Sequence, residues 1–127
     1  MYFIVVKNLY PMIRLMKTLM MLCIASATLT NCTAQVKNAK TENVKIYGNC
    51  EMCKSTIEKA GNLKKIAVVD WDKNTKIATI TYDTSKTNLD EVVKRISLSG
   101  YDSDQFRAPE KAYKNLHGCC QYERPSN

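Results

Sequence analysis

The residues of this sequence that are best suited to chemistry are cysteines in two groups. Cys50 and Cys53 form a Cys-x-x-Cys pair, and Cys119 and Cys120 follow His117 near the end of the chain. A cysteine thiolate binds soft metal ions and also carries out thiol–disulfide exchange. Two sulfur ligands with no adjacent set of histidines or carboxylates favour Cu(I) and related thiophilic ions over hard cations. The pair therefore predicts a soft-metal site, with redox exchange as the alternative.

The first pair is predicted to lie where a helix begins. Apolar and polar side chains alternate over residues 44–47, as they do in a strand, and a glycine and an asparagine then end the pattern. Residues 52–60 have apolar side chains at helical spacing, which predicts a short amphipathic helix. Cys50 would lie in the loop and Cys53 in the first turn, where backbone N–H groups and the helix dipole lower thiol pKa values. Both sulfurs could then hold one ion.

The rest of the domain is predicted to continue this pattern of strands and helices. Residues 66–71 and 76–82 are β-rich and flank a polar turn, which predicts a hairpin. A helical stripe follows Asn88, its predicted N-cap, and ends at Gly100. Residues 101–106 can supply a fourth strand. The order βαββαβ predicts a ferredoxin-like α+β sandwich, with two helices on one face of a four-stranded antiparallel sheet.

This order of motifs resembles the heavy-metal-associated domain family of copper chaperones, copper-transporting P-type ATPases and periplasmic mercuric-ion-binding proteins. The resemblance covers residues 42–106 and depends on Cys50-x-x-Cys53 with residues 54–60, on residues 76–83 and on residues 100–102. It implies reversible binding of a soft metal ion by Cys50 and Cys53, followed by transfer to partner thiols. It implies no catalysis, so no enzyme activity is expected.

The resemblance also sets expectations for the ion, the partner and the loop. Cu(I) is the first choice, with Hg(II), Zn(II), Cd(II) and Ag(I) as alternatives. The expected partner is a metal transporter or an efflux component. Gly48 stands where the family has a methionine, which is a departure in the metal loop. Tyr101 matches a family position near that loop, where it either shields the sulfurs or simply packs.

Other functions compete for the same residues. Cys50 and Cys53 could form an inert disulfide or a thioredoxin-like redox motif. The thioredoxin fold needs a cis-proline strand, yet the only prolines after residue 34 are Pro109 and Pro125. An RNA-recognition module has the same order of elements but needs stacking aromatics on its third strand. Residues 76–81 contain none, so no nucleic-acid partner is expected.

Residues 107–127 are predicted to form a Cys- and His-containing tail. Pro109 can start a brief helix that Gly118 can end, and His117, Cys119 and Cys120 lie around that end. One hypothesis is that the tail folds over the metal loop and raises the coordination number from two toward three or four. The alternatives are a separate metal site, a disulfide with the first pair, or free thiols.

The first 34 residues resemble a secretory signal. They lack Asp and Glu, and basic residues precede an apolar run of 12 residues, shorter than the roughly 20 of a membrane span. Residues 1–15 are either an upstream extension or a long n-region. We therefore expect export to the periplasm or cell envelope, no transmembrane span and a flexible leader over residues 35–41. Cys32 gives a lipid anchor as the alternative. Removing residues 1–34 leaves a net charge of +4.

Overall fold

The computed structural model describes residues 35–126, and the predicted signal segment with Cys32 lies outside them. Within this range no helix is long and apolar enough to cross a membrane. The described chain has three strands and three α-helices, followed by a 3-10 turn at Gly118–Cys120. In chain order these elements are β1 (Ala39–Lys45), α1 (Glu51–Gly61), β2 (Ala67–Trp71), β3 (Ile77–Asp83), α2 (Leu89–Leu98) and α3 (Glu110–Lys114).

The three strands form one antiparallel sheet with the order β1-β3-β2. β1 pairs along its whole length with β3, and β2 pairs with the other edge of β3. The predicted hairpin of β2 and β3 is confirmed. β1 begins at Ala39, so the end of the expected leader over residues 35–41 is paired in the sheet.

The predicted fourth strand over residues 101–106 is wrong, and with it the four-stranded ferredoxin-like sheet. Among the described residues this segment makes one isolated bridge, between Ser103 and Ile46. The chain instead turns back at Ser103, whose N–H donates to the Phe106 carbonyl at 2.9 Å. The Ser103 hydroxyl in turn accepts from the Phe106 N–H at 2.9 Å. Because these groups are satisfied locally, they do not extend a ladder along β1.

Both longer helices cover the same face of the sheet. α2 begins as predicted, with the Asn88 side chain accepting the Glu91 N–H at 2.9 Å. α1 lies close to β2 at Gly61, where an added Cβ would be 2.4 Å from Val69. A side chain at this position would therefore push the helix away from the sheet. The core between these layers contains Val44, Ile46, Cys53, Ile57, Ala67, Val69, Trp71, Ala78, Ile80, Val92, Val93 and Ile96.

Candidate metal centre

The first cysteine pair lies at the amino terminus of α1, in the position that the sequence predicts. Cys50 is the N-cap and Cys53 is the third helical residue, and each side chain accepts the other's backbone N–H. This is a capping box in which sulfur replaces the usual oxygen and carboxylate acceptors. The Cys53 sulfur accepts from the Cys50 N–H at 3.4 Å and from the Asn49 N–H at 3.3 Å. These bonds fix the Cys53 sulfur at the start of the helix.

The two sulfurs differ in exposure although they are close together. Their Sγ atoms are 3.5 Å apart, and all four cysteines of residues 35–126 are free thiols. Hydrogen bonds, above all from the Cys53 N–H, lower the pKa of the Cys50 thiol to about 7. Cys50 is half-buried, whereas Cys53 is fully buried. Cys50 is therefore the member of the pair that is both accessible and readily deprotonated near neutral pH.

Gly48 lets the loop that precedes α1, residues 46–50, lie directly against Trp71; this loop is called the metal loop because it carries the candidate ligand Cys50. A Cβ added at Gly48 would be 3.1 Å from the Trp71 ring and 3.2 Å from the Cys53 Cβ. The ring is itself fixed, since its Nε1–H donates to the Ile46 carbonyl at 3.0 Å and the side chain is fully buried. A side chain at this position would therefore require the Trp71 ring or Cys53 to shift. A large aromatic side chain from β2 supports the loop.

The tail brings the second cysteine pair to the first. The Cys50 sulfur is 3.7 Å from the sulfur of Cys120 and 3.9 Å from that of Cys119. The Cys119 and Cys120 sulfurs are themselves 3.9 Å apart. Cys50, Cys119 and Cys120 thus form a group that could hold a metal ion. Cys53 and His117 are not part of this group. The His117 side chain is exposed, and its carbonyl accepts the Cys120 N–H.

The sulfur–sulfur distances suit one ion bound by several thiolates. A metal–sulfur bond of about 2.3 Å places the sulfurs of a trigonal or tetrahedral site about 3.8–4.0 Å apart. The Cys50 sulfur lies 3.5 Å from the sulfur of Cys53, 3.7 Å from that of Cys120 and 3.9 Å from that of Cys119. A linear site of two sulfurs would need about 4.6 Å with the same bond length. The sulfurs of Cys50, Cys119 and Cys120 therefore need little movement to surround one ion.

A buried hydroxyl faces the inner two sulfurs. Tyr101 is fully buried, and its hydroxyl has no hydrogen-bond partner in the part of the chain that the structure describes. Burial raises the pKa of the Cys120 thiol to about 12. The unpaired Tyr101 O–H lies beside the thiols of Cys53 and Cys120, so it could donate a hydrogen bond to a thiolate that forms when metal binds.

A buried ion pair fixes the tail. Asp102 is completely buried, and the Arg124 guanidinium donates to its two carboxylate oxygens, both at 2.7 Å. The Ala108 N–H also donates to Asp102, at 2.6 Å, and Arg124 reaches Glu110 at 2.6 Å. Burial favours the neutral acid, but the bonds from Arg124 and Ala108 outweigh it and hold the pKa of Asp102 below its usual value. Such two-pronged pairs fix orientation as well as position.

Tyr122 joins the tail to the core beside this ion pair. Its hydroxyl donates to the Gly100 carbonyl at 3.0 Å and accepts the Asp102 N–H at 2.6 Å. Its carbonyl accepts from the Tyr113 hydroxyl at 2.6 Å, and its ring packs on Tyr47, Tyr101 and Tyr113. Sequence reasoning did not identify Asp102, Tyr122 or Arg124 as supports of the site. The only signal was an aromatic and a basic residue shortly after the second cysteine pair.

Comparison of the chain with protein-family models, with curated proteins and with solved structures finds no match. The likeness to the heavy-metal-associated domain is thus a resemblance that depends on the residues named above.

Proposed function

We propose that this chain is an exported soft-metal-binding protein that carries Cu(I) as a metallochaperone, buffer or scavenger. The observation that carries the proposal is the convergence of four free thiols from two distant parts of the chain. Cys50 and Cys53 are the proposed ligands from α1, and Cys119 and Cys120 the proposed ligands from the tail. The ion is cargo, and no catalytic step is assigned to it.

The choice of Cu(I) follows from the donor atoms. Thiolates select Cu(I), Hg(II), Ag(I), Cd(II) and Zn(II) over Mg²⁺ or Ca²⁺, which prefer oxygen ligands. Four sulfurs also make Zn(II) a stronger competitor than two would, because zinc prefers tetrahedral sites. Zinc is therefore the comparison ion in any test.

Thiol–disulfide exchange is the second candidate, and one observation favours it. Cys50 has a pKa near 7 and lies 3.5 Å from the Cys53 sulfur, as an attacking thiol and its resolving partner would. Exchange of this kind uses a single pair, however, and gives no role to Cys119 and Cys120. Metal binding accounts for all four thiols.

The proposed location and partner depend on the sequence. Residues 1–34 have the composition of a secretory signal, which supports export to the periplasm or cell envelope. A transporter or efflux component with its own thiols would receive or supply the ion by ligand exchange.

An anaerobic titration of the reduced chain with Cu(I), and separately with Zn(II), tests the proposal. We expect tight binding of one Cu(I) per chain and its loss in the Cys50→Ser, Cys53→Ser double variant. Met52→Leu is the matched control, because Met52 lies between the two cysteines, has an exposed side chain and offers a thioether instead of a thiol. No Cu(I) uptake by the reduced wild-type chain, together with disulfide reductase activity, would replace the proposal with the redox alternative.

A further inference from the structure

The four thiols lie at different depths, which limits how an ion could leave. Cys53 and Cys120 are buried, Cys50 is half-buried and Cys119 is exposed. The two pairs are fixed differently: the start of α1 holds Cys50 and Cys53, and the tail holds Cys119 and Cys120. An acceptor thiol could therefore approach the sulfurs on the side of Cys119 and Cys50, while the tail covers the inner side.

The tail is fixed on both sides of its cysteines. Before them, α3 packs on Gly100, where an added Cβ would be 3.0 Å from the Ala112 carbonyl and from Leu116. After them, Tyr122 and Arg124 bind the backbone and side chain of Asp102. We call Asp102, Tyr122 and Arg124 the carboxy-terminal anchor. It contains no cysteine, so it can hold the tail without taking part in metal binding.

We propose that the tail, residues 107–126, is a docked cover that makes the site retain its ion, and that rapid ion exchange requires the anchor to open. This inference rests on the proposed metal-binding function. With the tail docked, an incoming thiol has to compete with the two tail sulfurs as well as with Cys50. With the tail detached, only Cys50 and Cys53 remain, and the site becomes an open two-thiol site. The anchor therefore favours scavenging or storage over rapid transfer.

Release kinetics test the proposal. The reduced chain is loaded with one Cu(I), and transfer to an excess of the Cu(I) chelator bathocuproine disulfonate is followed by absorbance. Arg124→Gln should speed release by at least about tenfold, since truncating one member of a buried charge pair acts mainly on dissociation. The Cys119→Ser, Cys120→Ser double variant should release at least as fast. Lys114→Gln, which removes an exposed partner of Glu110, should release at the wild-type rate.

Combining the changes separates an effect through the tail from a general loss of structure. Arg124→Gln should add no further acceleration in the chain that already lacks Cys119 and Cys120, because both changes remove the same ligands. Tyr122→Phe is the milder anchor variant: it loses the hydroxyl bonds to Gly100 and Asp102 but keeps the ring. It should also accelerate release, and it takes the place of Arg124→Gln in the test if that variant proves unfolded.

Two outcomes would contradict the inference, and they are distinguishable. Wild-type release rates in folded Arg124→Gln or Tyr122→Phe chains, with Cu(I) still bound one per chain, would overturn the docked cover and leave metal binding intact. Failure of the reduced wild-type chain to take up Cu(I) at all would overturn the proposed function and this inference together.

Discussion

The two cysteine pairs meet at one point but are held there by different forces. Cys50 and Cys53 are fixed by backbone N–H groups within four residues of each other, at the start of a regular helix. Cys119 and Cys120 lie in a 3-10 turn, and their position depends on contacts of the tail with Asp102, Gly100 and a cluster of tyrosines. Local structure thus provides half of the site, and long-range packing provides the other half.

This difference means that the two halves should fail separately. Disturbing the anchor should release the second pair and leave the first pair in its capping box. Disturbing the loop around Gly48 should affect the first pair alone.

The largest expected effect comes from breaking the anchor with Asp102→Asn. The Arg124 side chain would then lose the charge of its buried partner and one of its two hydrogen bonds, because an amide has a single acceptor oxygen. We expect the free energy of unfolding to fall by about 3 kcal/mol, the lower end for breaking a buried pair, because Arg124 keeps its bond to Glu110. Urea unfolding measures the loss, and hydrogen exchange should place it in residues 107–126. Unchanged stability would show that the anchor does not hold the tail.

The same carboxylate predicts an acid dependence. The pKa of Asp102 in the folded chain lies below its usual value. Its contribution to the free energy of unfolding is therefore complete above pH of about 3.9, the pKa of this group in the unfolded chain, and is lost as pH falls through the folded pKa. Wild-type stability should therefore fall more steeply below pH of about 4 than that of Asp102→Asn. Equal slopes would contradict the assignment.

The next effect concerns Cys50, which is the sulfur shared by both halves. It lies within 3.9 Å of the other three sulfurs, whereas Cys119 is near two of them and is exposed. We expect Cys50→Ser to weaken Cu(I) affinity by more than about 100-fold, since supporting residues of metal sites alone are worth about 10–100-fold. Cys119→Ser should cost less. Competition titrations against a chelator would measure both, and a reversed ranking would exclude Cys50 as the shared ligand.

A smaller effect is expected from the glycines that precede the two pairs. Gly48→Ala would place a Cβ about 3.1 Å from Trp71, and overpacking of this kind costs about 1–3 kcal/mol. Gly118 has no atom within 4 Å of its added Cβ, so Gly118→Ala should be close to neutral. Thermal unfolding of the two variants compares a packed loop with an open one. Equal losses of stability in the two variants would mean that Trp71 does not support the metal loop.

The smallest effect is a difference in thiol reactivity without metal. Cys50 has a pKa of about 7, lowered from the usual value of about 8.5, so its thiolate should form as pH rises through 7. Cys120 has a pKa of about 12 and is buried, so it should stay unmodified until the chain unfolds. Alkylation with iodoacetamide, followed by peptide mass spectrometry between pH 6 and 9, would show the order. Early labelling of Cys120 would indicate that the tail is not docked.

Much of the fold was predictable because it depends on patterns within a few residues. The helical stripe after Asn88 and the two β-rich segments around a polar turn gave α2 and the hairpin correctly. The position of Cys50 and Cys53 at a helix start was predictable for the same reason. Capping and periodicity are local properties, so the sequence expresses them directly.

The fourth strand was predicted wrongly because its fate depends on a distant residue. The carboxylate of Asp102 is buried beside Arg124, more than twenty positions later, and Ser103 then turns the chain. No pattern within residues 101–106 reveals that partner.

The sequence alone determined that this chain carries two groups of thiols, one of them at a helix terminus. Only the tertiary structure decided that both groups meet. No helical or strand period links Cys53 to Cys119, and a chain of that length between them can place its ends at almost any separation. The distance of 3.7 Å between the Cys50 and Cys120 sulfurs is set by the ion pair of Asp102 with Arg124 and by the packing of Tyr122. These contacts form only when the whole domain is folded.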